Sequence, residues 1–257
     1  MVIPAYNEAA RLPRTLSAVT GFLSRYPSLS WEILVVDNGS TDGTGDLIWR
    51  AAAKDARIRP VRLERRGKGF AVRAGVLAAR GEVVVFADAD RSWPLEALIR
   101  FPARLRDGTE VVIGSREGAR AQRLGEPAYR HLMGRVFNRL VQVLAVPGIE
   151  DTQCGFKVFR ADAARELCRR QRLGGFAFDV ELLYLARTLG YGVLEEPLLW
   201  EHDAHSRVRP VRDALAMLRD VLLVRWYGLR GRYEPTPPRR RGALARATAP
   251  AAAGAVA

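Results

Sequence analysis

Val83-Val84-Val85-Phe86-Ala87-Asp88-Ala89-Asp90 is the stretch on which the fold turns. Five apolar residues in a row fall far short of the roughly 20 that a membrane span needs. They read instead as a strand buried on both faces, and the switch to Asp-Ala-Asp marks where it leaves the core. A second apolar run, Glu32-Ile33-Leu34-Val35-Val36, ends in the same way, in Asp37-Asn38-Gly39-Ser40-Thr41-Asp42-Gly43-Thr44, where turn formers coincide with a helix N-cap candidate. Val2-Ile3 is expected to be the tail of a strand closed by Pro4, and residues 58–63 a short strand. Between these runs, apolar residues recur at helical intervals: Leu12, Leu16, Val19, Phe22 and Leu23 within residues 9–26, then Leu47, Ile48 and the alanines 51–53, then residues 69–79 opened by Gly67-Lys68-Gly69. Strands alternating with helices, the strands apolar throughout, predict an α/β fold: a mainly parallel central sheet with helices on both faces. Such sheets bind ligands beyond the carboxyl ends of their strands, and both polar clusters, Asp37-Asn38 and Asp88-Ala89-Asp90, fall just there.

Downstream, the pattern predicts a helix over 95–105, a strand at 111–114, a polar loop over 115–127 and a long amphipathic helix over 129–146. A strand at 156–159, helices over 161–172 and 180–189, and an extended segment over 192–199 follow. From Arg207 the composition turns basic and amphipathic, with Val211, Leu215, Leu218, Val221, Leu222 and Trp226 at helical spacing among Arg209, Arg212, Arg219 and Arg225. Residues 235–257, with Pro237-Pro238, Arg239 to Arg241 and an alanine-rich end, have too little to bury and are expected to be disordered. The division expected is therefore a catalytic domain over 1–206, a basic amphipathic helical segment over 207–234 and a tail over 235–257.

At 257 residues the chain can bury one large core. It shows no transmembrane stretch and no secretory signal, which predicts a cytoplasmic protein. Two cysteines, Cys154 and Cys168, lack companion ligands at zinc spacing and are expected to be reduced and structural. The net charge of +13 is carried almost wholly by arginine, since lysine occurs only at Lys54, Lys68 and Lys157. Anionic partners follow: phosphates, nucleic acid or an acidic membrane face. Nucleic acid is the weakest of these, because no aromatic-interleaved basic strand or recognisable motif supports it.

Two carboxylates one residue apart at a sheet rim repel unless something positive sits between them. Magnesium or manganese fits Asp88 and Asp90, since each prefers oxygen ligands and shares carboxylates with phosphate oxygens. Gly67-Lys68-Gly69, preceded by Arg65-Arg66, lets backbone and ammonium approach a phosphate at a helix N-terminus.

These motifs, with Val2-Ile3-Pro4-Ala5-Tyr6-Asn7-Glu8 ahead of them, resemble in order and spacing the family-2 glycosyltransferases of the GT-A (nucleotide-diphospho-sugar transferase) fold. Gly114-Ser115-Arg116, the run from Asp151 to Phe159 and Phe176-Ala177-Phe178-Asp179-Val180-Glu181 are similar to the dolichyl-phosphate β-glucosyltransferase branch, beside the dolichyl-phosphate mannose synthases. The resemblance spans residues 1–232. It implies that Pro4, Tyr6 and Glu8 surround the base and ribose of a nucleotide sugar, that Asp37 and Asn38 stand where the family writes Asp-Asp to read the base, and that Asp88, Ala89 and Asp90 hold metal and diphosphate. Lys68 and Arg207, the latter beside Ser206 where the family has Ser-Lys, are expected near the donor diphosphate. Arg116 and Arg130 match arginines that bind the acceptor phosphate, a task suited to a planar fork that stays charged when water is expelled. Two departures stand out. Asn38 replaces an aspartate, and Ser92 stands where mannose synthases add a glutamine.

The activity implied is inverting transfer of a hexose, glucose from UDP-glucose, to a polyprenyl phosphate at the cytoplasmic membrane face, assisted by Mg2+ or Mn2+, with Asp88, Asp90, Arg116 and Arg130 as its catalytic residues. The 207–233 segment would make the peripheral membrane contact. Two alternatives remain: a family-2 enzyme glycosylating a hydroxyl, for which Asp179 or Glu181 would be the base, and a mannose synthase-like enzyme using GDP-mannose.

Overall fold

The computed structural model describes residues 1–118, 120–125, 127–201 and 210–233. A seven-stranded sheet forms the centre, in the order β3 (Ile58–Arg62), β2 (Ile33–Asp37), β1 (Val2–Ala5), β4 (Val83–Ala87), β7 (Phe156–Arg160), β5 (Val111–Ser115), β8 (Val193–Pro197). Every neighbouring pair is parallel except those made by β7, which runs antiparallel to both β4 and β5. The expected mainly parallel sheet is thus present, with one reversed strand near its middle. The reversal matters for the site. Because β7 starts where β4 ends, with Ala87 paired to Phe156, the residues just before β7 lie at the rim where β4 delivers its carboxylates.

Side chains alternate between two apolar layers, as strands covered on both faces require. Val2, Leu34, Val36, Phe86 and Ile113 enter one layer with the helices α3 (Lys68–Ala78), α6 (Ala161–Arg170) and α7 (Phe178–Thr188). Ile3, Val35, Val85, Val112 and Phe156 enter the other with α1 (Leu12–Leu23) and the rings of Trp93 and Phe101. The helix α2 (Thr44–Lys54) packs beside β2 and β3.

Several elements differ from expectation, each for a local reason. Pro4 does not close β1; the strand continues to Ala5, because β1 and β4 are in register only at Val2 and Phe86 and the missing N–H of Pro4 falls beyond that pair. The helix expected over 95–105 is broken into α4 (Ala97–Arg100) and a 3₁₀ turn (Pro102–Arg104), since Pro102 can supply no helical N–H. The loop over 115–127 contains a short strand, β6 (Gln122–Leu124), paired in parallel with β9 (Leu199–Glu201). Two long helices complete the chain, α5 (Ala128–Leu144) and α8 (Pro210–Leu229), which pack on each other, with α8 also against α7. Val221, Val224 and Tyr233 of the C-terminal segment are buried in the same core as the sheet. Both cysteines are buried and unpaired, and burial pushes each thiol up to about 12, as inert structural thiols require. No helix among the described residues is long and apolar enough to cross a membrane. The 235–257 tail lies outside the described residues.

Candidate active site

Three hydrogen bonds hold the backbone of the Asp88-Ala89-Asp90 turn. Asp88 N–H donates to Gly155 O at 2.9 Å, Trp93 Nε1 donates to Asp88 O at 3.1 Å, and Thr15 Oγ1 donates to Ala89 O at 2.7 Å. The Asp90 carboxylate accepts Ser92 N–H at 3.1 Å, the Asx turn that its spacing allows. Gly155, arriving on the reversed strand, makes room for the other carboxylate: a Cβ there would stand 2.1 Å from Asp88 Oδ2.

A pocket of about 410 Å³ opens over this turn. Of the residues expected around the donor, Pro4, Tyr6, Glu8, Asn38, Lys68, Asp88, Ala89 and Asp90 all line it. Asp37 does not line it; its carboxylate caps the following turn by accepting Ser40 N–H at 3.0 Å. The β1 and β2 loops that form the near wall are tied to each other. Asn7, at φ 55°, accepts Thr41 N–H at 2.7 Å, and Glu8 N–H donates to Thr44 Oγ1 at 2.8 Å. Asn38 Oδ1 accepts Gly67 N–H at 3.1 Å, so what Asn38 offers a ligand is its amide donor. Gly67 has φ 144°, and a Cβ on it would lie 2.3 Å from Gly174 O, which explains a glycine before the lysine.

The electrostatics form a ladder of alternating charge. Lys68 Nζ stands 2.7 Å from Asp88 Oδ1. Although burial alone would lower it, the Lys68 ammonium is held above its ordinary value by Asp88, Asp179 and Asp90. Asp90 is pushed up, first by burial and then by the like charge of Asp88. Behind them, fully buried Lys157 sits 2.7 Å from Asp179 Oδ1 and donates to Cys154 O at 2.7 Å. Asp179 is raised by burial in spite of both lysines. Its contact with Lys157 is an ion pair, without the direction of a hydrogen bond. Among the described residues no cluster of three or more His, Cys, Asp or Glu forms that could ligate a metal. Two crowded carboxylates, one strained toward protonation and one cradled at a glycine, nonetheless match the hard oxygen donors that a divalent cation shares with a diphosphate.

Residues 1–168 match the family model described as glycosyl transferase family 2. The chain is a family 2 glycosyltransferase. It is 33% identical over 245 residues to human dolichyl-phosphate beta-glucosyltransferase, covering 90% of this chain and 76% of that one. It is 36% identical to the Drosophila melanogaster protein of the same name, over 87% and 73%. In three dimensions it resembles glucosyl-3-phosphoglycerate synthase from Mycobacterium tuberculosis, solved with Mn2+, UDP and phosphoglyceric acid, at TM-score 0.62 and 21% identity over 91% of this chain and 78% of that one. Mannosyl-3-phosphoglycerate synthase from Rubrobacter xylanophilus superposes at TM-score 0.61 and 20% identity, over 94% and 76%. The transferase therefore has the GT-A fold.

Arg116, expected at the acceptor, does not line the donor pocket. Arg116, just past β5, meets Asp151, just ahead of β7, side-on: Nε to Oδ2 at 2.7 Å and Nη2 to Oδ1 at 2.8 Å, with Arg116 N–H donating to Oδ2 at 2.9 Å. Burial would raise the Asp151 carboxyl, but Arg116 outweighs it and holds it below the usual range. The guanidinium lies 5.1 Å from the Trp200 ring centroid. Arg130 falls in the first turn of α5, with its side chain outside the description, and Ser206 and Arg207 lie outside the described residues.

Among the residues that complete the pocket, Arg66 belongs to the phosphate-approaching loop already named, while Arg11 and Gly175 carried no expectation. Arg11 pairs with Glu8 at 2.6 Å, Arg66 carries its guanidinium 5.2 Å from the Tyr6 ring centroid, and Gly175 and Phe176 close the far wall. Arg11 sits three residues from Glu8 on a helical pattern, a legible signal. Phe176 belongs to a run already quoted for its resemblance, but its place in the pocket gave no signal, because only the fold brings the loop before α7 to this rim.

Proposed function

We propose that this transferase moves glucose from UDP-glucose to the phosphate of a dolichyl-type polyprenyl lipid, inverting the anomeric carbon and releasing UDP. Relatives of that activity cover most of the chain, and the observation that carries the reading is the donor pocket itself, where Asp88, Asp90 and Lys68 converge beside a base-sized wall of Pro4, Tyr6 and Asn38. The donor's sugar and metal agree with the structurally similar synthase crystallised with Mn2+ and UDP-glucose.

A phosphate oxygen is already anionic near neutral pH, so attack needs no base; the protein must position the oxygen, screen charge repulsion and stabilise the departing diphosphate. Held by Asp88 and Asp90, Mg2+ or Mn2+ would supply charge neutralisation at the diphosphate. Lys68, at the N-terminus of α3, adds an ammonium to the same oxygens. Arg116, with Arg130, receives the acceptor phosphate, and Asp151 fixes the plane of the Arg116 fork. The two carboxylates that a hydroxyl acceptor would require as base are engaged elsewhere. Asp179 faces buried Lys157, and Glu181 accepts from Arg172 N–H, Leu173 N–H and the Tyr233 hydroxyl. This favours a phosphate acceptor.

Incubation with radiolabelled UDP-glucose, MnCl2 and a short-chain polyprenyl phosphate tests the reading. Label extractable into organic solvent is expected; label confined to water-soluble products, or incorporated only from GDP-mannose, would overturn it.

A further inference from the structure

Lys157 does not line the donor pocket, yet it is an ammonium carried fully buried in β7. It stands opposite Phe86 in the β4–β7 ladder, on the face where the strand's other contribution to the core is Phe159. Its partner Asp179 is buried as well. Taking both charges out of water carries a heavy desolvation penalty, and an apolar pair of similar volume commonly folds as well or better. Stability alone therefore does not account for the pair.

The Lys157 ammonium makes two contacts, each at 2.7 Å: it donates to Cys154 O and faces Asp179 Oδ1. The first contact pins the peptide that joins Cys154 to Gly155. The next carbonyl, Gly155 O, accepts the Asp88 N–H at 2.9 Å, and the bare face of Gly155 is where the Asp88 carboxylate rests. Lys157 thus grips, from beneath, the corner on which Asp88 sits. The second contact leads the other way. Asp179 lies in the first turn of α7, immediately after the loop whose Gly175 and Phe176 close the far wall of the pocket. Asp88, Gly155, Lys157 and Asp179 therefore form one polar chain that runs under the pocket from its carboxylate side to its far wall. Apolar contacts between the same elements, such as Phe86 against Phe178 at 5.7 Å between ring centroids, are non-directional. A buried ion pair of low local dielectric holds its two ends at a set distance.

We infer that Lys157 is a positioning residue for the donor site, forming with Asp179 a buried strut that fixes the Cys154–Gly155 corner beneath Asp88 relative to the far wall. The inference rests on the reading of Asp88 as a ligand at the donor diphosphate and extends it inward. Lys157 acts through Asp88 and touches neither donor nor acceptor.

The test compares wild type with Lys157→Met and with the apolar pair Lys157→Met/Asp179→Leu. The single variant leaves a buried carboxylate without its partner and should melt at a lower temperature; the double variant should recover most of that loss. Position should not recover with it. In the double variant the Asp88 amide should exchange its hydrogen at least about tenfold faster, while the amides of Val84 and Val85 keep the wild-type rate. Mn2+ affinity, followed by electron paramagnetic resonance of the free ion, should fall about tenfold to a hundredfold, the usual cost of losing a group that orients a metal ligand. A merely structural pair would instead recover both readouts together with stability. A folded double variant in which the Asp88 amide exchanges as in wild type, or in which Mn2+ affinity is unchanged, would overturn the inference. If the apolar pair does not fold, Lys157→Met/Asp179→Asn, which keeps the shape of the acid, is read in the same two ways; failure of both to fold would make the pair a requirement of the fold and equally overturn it. A wild type that binds neither Mn2+ nor UDP, with Asp88 exchange still accelerated in the variant, would leave the strut standing and remove the donor-site reading instead.

Discussion

Replacing Gly155 with alanine puts one methyl group where the Asp88 carboxylate now rests. The added Cβ would stand 2.1 Å from Oδ2, 2.7 Å from Cγ and 3.2 Å from Asp88 Cβ, against an ordinary contact that begins at 3.4 Å. The backbone at 155 is not among the positive-φ glycines, so alanine meets no conformational penalty there, and the strand partner Phe156 stays in register. The carboxylate must therefore retreat by roughly 1 Å or rotate away from Lys68, and displacement of that size in a site that works by positioning costs about a hundredfold in rate. That corresponds to about 2.7 kcal/mol of transition-state stabilisation. The loss should appear in kcat with UDP-glucose and a short acceptor, and equally in the Mn2+ affinity followed by the electron paramagnetic resonance of the free ion. The melting temperature should drop only slightly, since the side chain that must yield, Asp88, is partly exposed and can move toward the pocket. Activity within threefold of wild type, with unchanged Mn2+ affinity, would refute the assignment of Asp88 to a position set by Gly155.

Asp90→Ala relieves a like-charge clash and should abolish transfer while leaving the melting temperature equal or higher; metal-stimulated turnover in this variant would remove Asp90 from the site. Arg116→Lys keeps the charge and loses the side-on fork, so the KM for the acceptor should rise about tenfold or more while UDP protection against thermal unfolding stays constant. Asp151→Asn breaks a nearly buried pair and should cost about 3 kcal/mol at neutral pH. The sign with pH follows from the lowered carboxyl of Asp151: its contribution is complete above the unfolded-state value and vanishes as pH falls through the lower folded-state value, so wild type and variant should converge in strong acid. A gap that stays constant down the acid limb would contradict the pairing. Tyr233→Phe removes one donor from buried Glu181 and should cost about 1 kcal/mol in denaturant unfolding, with no change in UDP binding.

What the sequence disclosed and what it withheld divide along physical lines. The strands 33–37 and 83–87 were legible because burial on both faces leaves continuous apolar runs, and their polar ends announced the rim. Alternation alone carries no direction, so the reversal of β7 was invisible, and with it the reason Gly155 belongs beside Asp88. The expected loop over 115–127 hid β6 because a three-residue strand that pairs with residues 199–201 has no periodicity of its own. Asp88, Asp90 and Lys68 were found by motif and charge, whereas nothing around Lys157 in its apolar strand pointed to Asp179, which the fold sets opposite it. Helix α5 was recognised as amphipathic, but a period of 3.6 does not tell a core stripe from a second, bare one.

The reversal of β7 also shapes how such an enzyme can change. Strands β5 and β7 are antiparallel neighbours, so the chain that leaves one and enters the other, residues 116–155, starts and finishes at adjacent points of the same rim. Arg116 and Asp151 meet across that neck, like a clasp on a loop of thread. The exposed part of the excursion can lengthen, shorten or be exchanged without disturbing the strand order beneath it, whereas Val141, Val146 and Ile149 tie its helix and the turn after it to the core. If Arg116 receives the acceptor as proposed, this excursion is the part through which a lineage can alter what receives the sugar while the strand order beneath it is kept.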